Sequence, residues 1–161
     1  MPGSSRYGED VRWKSWGFVG GQLTLIAGVL FLPRGDVWTL PSAAARAVQF
    51  LSLAGLLLVG AGLLNLGASA SPFPVPVEGG ALRTGGLYRS VRHPIYSGVI
   101  LWAVATAARS GSVIAAACAV GLVMWLSMKA RWEEQRLTAH YPGYTEYAAR
   151  TPRFVPWWPA R

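Results

Sequence analysis

Hydrophobic residues fall in four long stretches along the chain, and each stretch is nearly free of charged residues. The stretches are Trp16–Leu32, Ala47–Gly67, Ile95–Ala108 and Ser112–Met128. A helix needs about 20 apolar residues to cross a bilayer, with a range of about 17–25. The pattern therefore predicts four transmembrane helices. The third is short for a full crossing, so we expect it to enter the bilayer at a tilt or as part of a hairpin with the fourth.

The polar segments between these stretches indicate which side of the membrane each loop faces. If both termini are cytoplasmic, the outer loops hold only Arg34, Arg46 and Arg109, which leaves 12 of the 15 basic residues on the cytoplasmic side. Cytoplasmic loops of membrane proteins are enriched in lysine and arginine. We therefore predict that both termini are cytoplasmic.

The chain divides into three parts on this pattern. Residues 1–15 are polar and form a cytoplasmic N-terminal arm. Residues 16–75 hold two transmembrane helices and a connector that contains Ser71–Pro76, where alternating prolines block helix formation. Residues 76–161 hold the other two transmembrane helices, a cytoplasmic helical extension of the fourth, and a C-terminal cap. The predicted fold class is an all-α integral membrane protein.

Composition and charge exclude several classes of protein. Apolar residues are 52% of the chain, and charged residues are 14%, against about 25% in a soluble domain. The high apolar fraction excludes a disordered chain. The single cysteine, Cys118, excludes a disulfide framework, and the two histidines have no ligand spacing for a metal. The net charge of +8 follows the topology and favours contact with anionic membrane lipids rather than with nucleic acid.

Residues whose side chains could bind a ligand or take part in catalysis lie at one end of the predicted hairpin. The segments Arg83–Tyr96 and Lys129–Arg136 flank the third and fourth helices, so we expect them to meet at the cytoplasmic face. Pro94 suits the first position of a helix. The free N–H groups that follow favour an anion in front of the helix, and Gly98 would let a flat group approach the backbone.

The second of these segments carries two adjacent carboxylates, Glu133 and Glu134, directly beyond a hydrophobic helix. Glu133 shares a helix face with Lys129, four residues earlier. A solvated helix with ordinary ion pairs would also explain them, but ionisable groups at the membrane tend to be functional. Carboxylates, cations and a helix start together suit a zwitterionic, partly aromatic ligand. The sequence has no Gly-x-Gly-x-x-Gly nucleotide motif.

Three motifs within these segments resemble a known family. Arg92–Gly98 matches the RHPxYxG signature of the integral-membrane methyltransferases. Glu133–Leu137 matches their EExxL motif, and Tyr144–Tyr147 with Pro152–Pro156 matches their tail. The chain thus resembles, over residues 80–157, the isoprenylcysteine carboxyl methyltransferase family, which is similar to the phospholipid methyltransferases.

The resemblance implies that the protein transfers a methyl group from S-adenosylmethionine to a lipophilic acceptor and releases S-adenosylhomocysteine. Glu133 would bind this cofactor with support from Glu134, and Glu133 and Lys129 would be the catalytic residues. Gly98 would give the cofactor clearance. The other residues that the resemblance places around the cofactor are Leu82, Arg83, Tyr88, His93, Pro94, Ile95 and Tyr96.

The sequence departs from the family pattern at one position that is expected to bind the acceptor. Lys129 stands where the family has an arginine that meets the acceptor. Because lysine lacks the fork that grips a carboxylate, Arg131 is a second candidate for substrate binding. A carboxylate acceptor needs no base, whereas an ammonium acceptor must lose a proton to Glu133, Glu134 or His140.

The sequence is compatible with several acceptors and with two other classes of protein. The acceptor is an isoprenylcysteine carboxylate, a phospholipid amine, or a small lipophilic thiol or phenol. Two other classes are an NADPH-dependent membrane lipid reductase with a similar C-terminal core and a non-enzymatic membrane bundle. Four helices leave little wall for a lipid tunnel, which a homo-oligomer would complete.

Overall fold

Five α-helices and one 3₁₀ turn make up the part of the chain that the computed structural model describes, namely residues 4–32, 34–67 and 82–156. In chain order they are α1 (Ser4–Phe31), α2 (Ser42–Leu66), the 3₁₀ turn Gly86–Arg89, α3 (Pro94–Ser110), α4 (Val113–His140) and α5 (Tyr144–Arg150). These ranges hold no β-strand, so the all-α prediction is confirmed for them. The connector Ser71–Pro76 lies outside the described residues.

Local sequence explains how α3 and α4 form a hairpin. Pro94 is the first residue of α3, where its missing N–H removes no helical hydrogen bond. The helix is followed by Gly111, whose φ of 65° is a left-handed conformation that favours glycine. Ser112 then caps α4 by accepting a hydrogen bond from the N–H of Ala115. The predicted hairpin and the proline at its start are therefore confirmed.

The first and fourth helices are longer than their apolar stretches. α1 begins at Ser4, so the arm predicted for residues 1–15 is helical over its described part, and the boundary at residue 15 falls inside a helix. No proline interrupts residues 4–31, and each residue added to an existing helix gains a hydrogen bond. α4 runs on to His140, which confirms the helical extension.

Two helices, α2 and α4, are long and apolar enough to cross a membrane. The apolar part of α1, Ser15–Phe31, is shorter, and α3 has 17 residues. Large apolar side chains on the surface include Phe31, Leu57 and Leu64, which are 82%, 74% and 84% exposed. An exposed apolar surface of this extent suits lipid better than water. The four-span topology and the side of the termini stay predictions.

The hydrophobic core lies where α1, α3 and α4 meet. Leu122 and Leu126 of α4 are fully buried, in one cluster with Trp102 and Ala103 of α3 and Val29 of α1. This packing fixes α3 and α4 in register. Side chains at the adjoining ends of the two helices are therefore held at set positions.

Small residues bring α2 and α3 into close contact. Gly55 and Gly98 face each other so closely that a Cβ built on Gly98 would lie 2.6 Å from the carbonyl oxygen of Gly55. The hydroxyls of Ser52 and Thr106 form a hydrogen bond of 3.2 Å between the same helices. Helices in lipid associate through such close approach and interhelical hydrogen bonding. The space that Gly98 was expected to leave for a cofactor is thus occupied by α2.

We predict that Gly98→Ala destabilises the protein by about 1–3 kcal/mol, the usual range for overpacking a filled interior, because the added methyl group would meet backbone atoms of α2. Gly60→Ala on α2 is the matched control, since nothing lies within 4 Å of a Cβ built there and alanine favours helix. Thermal unfolding in detergent gives both midpoints. Equal midpoints for the two variants would contradict the packing role of Gly98.

Candidate active site

The two polar segments meet at the end of the α3–α4 hairpin, as the sequence predicts. The hydroxyl of Tyr96, on the first turn of α3, donates to Oε2 of Glu133 on α4 at 3.0 Å. Nδ1 of His93, directly before α3, lies 3.8 Å from the same oxygen. Segments that are far apart in the chain therefore form one site.

Glu134 is the centre of an ion-paired cluster. Its Oε1 accepts hydrogen bonds from Nε of Arg92 at 2.9 Å and from Nε of Arg153 at 3.0 Å, and its Oε2 accepts from Nη2 of Arg153 at 2.6 Å. Nε2 of His93 lies 3.1 Å from Oε1. The hydrogen bond to Glu134 raises the pKa of the Arg153 guanidinium. Both carboxylate oxygens of Glu134 are thus used inside the protein.

Arg92 ties the C-terminal cap to the start of α3. Its backbone N–H donates to the carbonyl of Pro152 at 2.8 Å. Its guanidinium donates to the carbonyls of Ala148 and Thr151 at 2.5 Å and 2.7 Å. These carbonyls lie at the C-terminal end of α5, where a helix leaves carbonyl groups without helical partners. The buried Arg92 therefore satisfies the end of α5 and Glu134 together.

Buried tyrosines line the seam between the cap and the 3₁₀ turn. The hydroxyl of Tyr147 donates to the carbonyl of Tyr88. Burial, and after it the negative charge of Glu133, raises the pKa of Tyr88 to about 12. Tyr144 is 2% exposed, and its hydroxyl has no hydrogen-bond partner among the described residues. Burial raises the pKa of Tyr144 as well, so these phenols stay protonated near neutral pH.

Glu133 differs from Glu134 in its surroundings. Its side chain is 25% exposed, against 13% for Glu134. Both carboxylates lie beside His93, but Glu133 otherwise contacts the phenol of Tyr96, whereas Glu134 is paired with two guanidinium groups. The rings of His93 and Tyr96 beside it stack in parallel planes with centroids 5.2 Å apart. Glu133 is therefore the carboxylate with room for a ligand, next to a flat aromatic surface.

Lys129 is buried one turn before Glu133 and reaches α1. Its side chain is 3% exposed, and Nζ donates to Oε1 of Gln22 at 2.9 Å. Nζ also lies 5.3 Å from the centre of the Tyr96 ring, within the range of a cation–π interaction. The first helix thus contributes a polar side chain to the site.

Some of the predicted site residues lie elsewhere. Arg131 is exposed on α4, rotated by roughly 200° about the helix axis from Lys129, so the structure does not bring it to the site. The side chain of Ile95 faces Gly62 of α2. His140 is exposed at the end of α4, roughly 10 Å along the axis from Glu133. Leu82 and the exposed Arg83 precede the 3₁₀ turn, and Pro94 is the buried first residue of α3.

Three residues at the site had no role predicted from the sequence, namely Arg92, Arg153 and Gln22. Arg92 and Arg153 each lie within a proline-containing motif, and a buried carboxylate such as Glu134 requires a cationic partner. Gln22 is the single amide in the apolar stretch Trp16–Leu32. An amide in such a stretch indicates a buried polar partner, because an unpaired one is unfavourable in an apolar setting.

The described residues form a helical protein with two helices long and apolar enough to cross a membrane and a C-terminal cap that is ion-paired with Glu134. The chain matches the family described as NnrU protein over residues 18–159, and it belongs to that family. Protein-S-isoprenylcysteine O-methyltransferase B of Arabidopsis thaliana is 38% identical over 78 residues, which is 47% of this chain. The matched part spans 39% of that relative's length. The resemblance to the isoprenylcysteine carboxyl methyltransferase family is thereby confirmed.

We predict that Arg92→Gln lowers the free energy of unfolding by roughly 3 kcal/mol, because breaking a buried ion pair leaves a charge without its partner. The loss is limited because Arg153 still pairs with Glu134. Arg150→Gln is the control: its ion pair with Glu146 is 71% and 74% exposed, and such pairs contribute about 0–1 kcal/mol. Unfolding by denaturant measures both variants. Hydrogen exchange should rise in residues 141–156 of the Arg92 variant alone. Equal exchange in the two variants would show that Arg92 does not hold the C-terminal cap in place.

Proposed function

We propose that the protein transfers a methyl group from S-adenosylmethionine to a lipophilic acceptor at this site. The observation that carries the proposal is the hydrogen bond between Tyr96 and Glu133, because it joins the RHPxYxG and EExxL motifs in one place. The relative named as an O-methyltransferase, 38% identical over its matched part, supports the same reaction class.

The donor set around Glu133 fits an S-adenosyl group. A partly exposed carboxylate can accept hydrogen bonds from an ammonium or from ribose hydroxyls. The aromatic side chains of His93, Tyr96 and Phe154 lie together beside it and suit a partly aromatic ligand. The buried hydroxyl of Tyr144, which has no hydrogen-bond partner among the described residues, is a further donor at this end of the bundle. When bound, the sulfonium supplies an electrophilic methyl group.

The role of the protein in this reaction is to hold the reactants and to exclude water. Holding donor and nucleophile in line in a dry site can lower a barrier by up to roughly 7–11 kcal/mol. Glu134 serves as a support rather than a base, because two guanidinium groups hold it ionised and buried. An amine acceptor would therefore give its proton to Glu133. A carboxylate acceptor needs no base, and the buried ammonium of Lys129 would attract it.

Incubation of the detergent-purified protein with methyl-labelled S-adenosylmethionine and host membranes tests the function. We expect label in a lipid or a lipidated peptide. Mild base distinguishes the acceptors, since it releases the label from a methyl ester and leaves an N-methyl group intact. An unlabelled membrane fraction, together with thermal stabilisation by NADPH and none by S-adenosylhomocysteine, would instead favour a reductase. Stabilisation by neither compound would favour a non-enzymatic bundle.

Glu133→Gln is the variant that tests cofactor binding, because it removes a charge while keeping the shape of the side chain. We predict that its affinity for S-adenosylhomocysteine falls by about 10- to 100-fold, the range for a hydrogen bond to a charged group. Isothermal titration calorimetry in detergent measures the change. Glu146→Gln, on the exposed face of α5, is the control, and unchanged affinity in the Glu133 variant would remove Glu133 from the cofactor site.

Lys129→Ala separates acceptor recognition from cofactor binding. We expect a lower kcat/KM for the acceptor that the labelling experiment identifies. Affinity for S-adenosylhomocysteine should stay within about twofold of the wild type, because Lys129 lies on the α1 side of Tyr96. Lys129→Arg should recover part of the lost activity, since it keeps the charge. A parallel loss of activity and cofactor affinity in Lys129→Ala would show that the role of Lys129 is structural.

A further inference from the structure

Two adjoining cavities lie at the end of the bundle opposite the carboxylate pair. The first, of about 510 Å³, opens between α1 and α2 over the last turns of α3. The second, of about 440 Å³, lies under the segment between α1 and α2. Both are lined by Arg34, Gln49 and Arg109, so they adjoin at these side chains and are here together called the groove.

Helix packing explains why the groove is open. α2 packs along α3 and α1 packs along α4, so α1 and α2 diverge above α3. The floor carries the hydrogen-bonded hydroxyls of Ser52 and Thr106. A groove between two lipid-facing helices, with a polar floor, is accessible from the side of the bundle.

The segment that closes the groove is fixed in place. The N–H of Gly35 donates to the carbonyl of Ser110 at 2.9 Å, and the N–H of Val37 donates to that of Gly111 at 3.2 Å. The indole N–H of Trp38 donates to the carbonyl of Ala108 at 2.7 Å. These bonds hold the backbone next to Arg34 against the end of α3, so the groove is a built feature of the fold.

The edge of the groove is basic. Arg34, Arg46 and Arg109, here called the basic rim, are exposed and line one or both cavities. Asp36 is the single acidic residue in residues 34–67, and it lines neither cavity. Arg109 donates to the amide oxygen of Gln49 at 2.6 Å, a contact that orients its guanidinium without neutralising it.

Apolar side chains continue from the basic rim along the outside of the helices. Leu30 and Phe31 line the first cavity and Phe50 lines the second, and they are 51%, 82% and 69% exposed. A cationic edge above an exposed apolar wall matches an amphiphile with an anionic head and an acyl chain. We propose that this groove binds an anionic phospholipid, with its phosphate at the basic rim and an acyl chain along Phe31.

The lipid site is independent of the proposed methyl transfer, because Arg109 lies in the last turn of α3 and the carboxylate pair lies beside its start. Native mass spectrometry of the full chain in detergent tests it with phosphatidylglycerol and phosphatidylethanolamine of equal chain length. We expect the wild type to prefer phosphatidylglycerol. In the double variant Arg34→Gln/Arg109→Gln, the ratio of phosphatidylglycerol to phosphatidylethanolamine binding should fall by roughly 25-fold, which is about fivefold for each arginine near an anionic headgroup.

The matched control is Arg131→Gln/Arg150→Gln, which removes two exposed arginines from the other end of the bundle and should keep the preference. In each single variant, Arg34→Gln or Arg109→Gln, we expect this binding ratio to fall by about fivefold. The single variants replace the double variant if the double variant does not fold. Equal binding of the two lipids by the wild type, or an equal loss in variant and control, would overturn the proposal.

Discussion

The carboxylate of Glu134 connects three parts of the chain that are distant in sequence: the residues before α3, the extension of α4 and the C-terminal cap. Two guanidinium groups and an imidazole meet it within 3.1 Å. Removing these charges from water is unfavourable, and their pairing offsets that only when the geometry is close. A displacement of any one segment therefore leaves a buried charge without its partner. This requirement holds the polar end of the bundle in one arrangement.

The position of Glu133 follows from that constraint. Adjacent helical residues point about 100° apart, so once Glu134 faces the cap, Glu133 faces Tyr96 and the polar residues around it. One carboxylate is saturated by cations and the other retains exposure, although the two are neighbours in sequence. The bond from Lys129 to Gln22 extends the same site to α1. Support and ligand contact are in this way divided between two glutamates.

The sequence predicts most of what depends on local pattern. The α3–α4 hairpin follows from two apolar stretches with a short polar turn, and the meeting of Tyr96 with Glu133 follows from that hairpin. Gly98 shows the limit: a glycine one turn into a helix suits a ligand or a neighbouring helix equally, and only the packing of α2 decides. The exposure of Arg131 likewise depends on how α4 is rotated. The contact with Gln22 is a long-range pairing between α1 and α4, which no local rule specifies.

The proposed activity requires one bound molecule to touch both α3 and α4 at their polar ends. Ultraviolet cross-linking of the purified protein with labelled S-adenosylmethionine, followed by peptide mapping, tests this most directly. We predict that label appears in peptides covering residues 88–98 and 129–136 and disappears in excess S-adenosylhomocysteine. Label confined to other peptides, or label in these peptides that S-adenosylhomocysteine does not displace, would contradict the account.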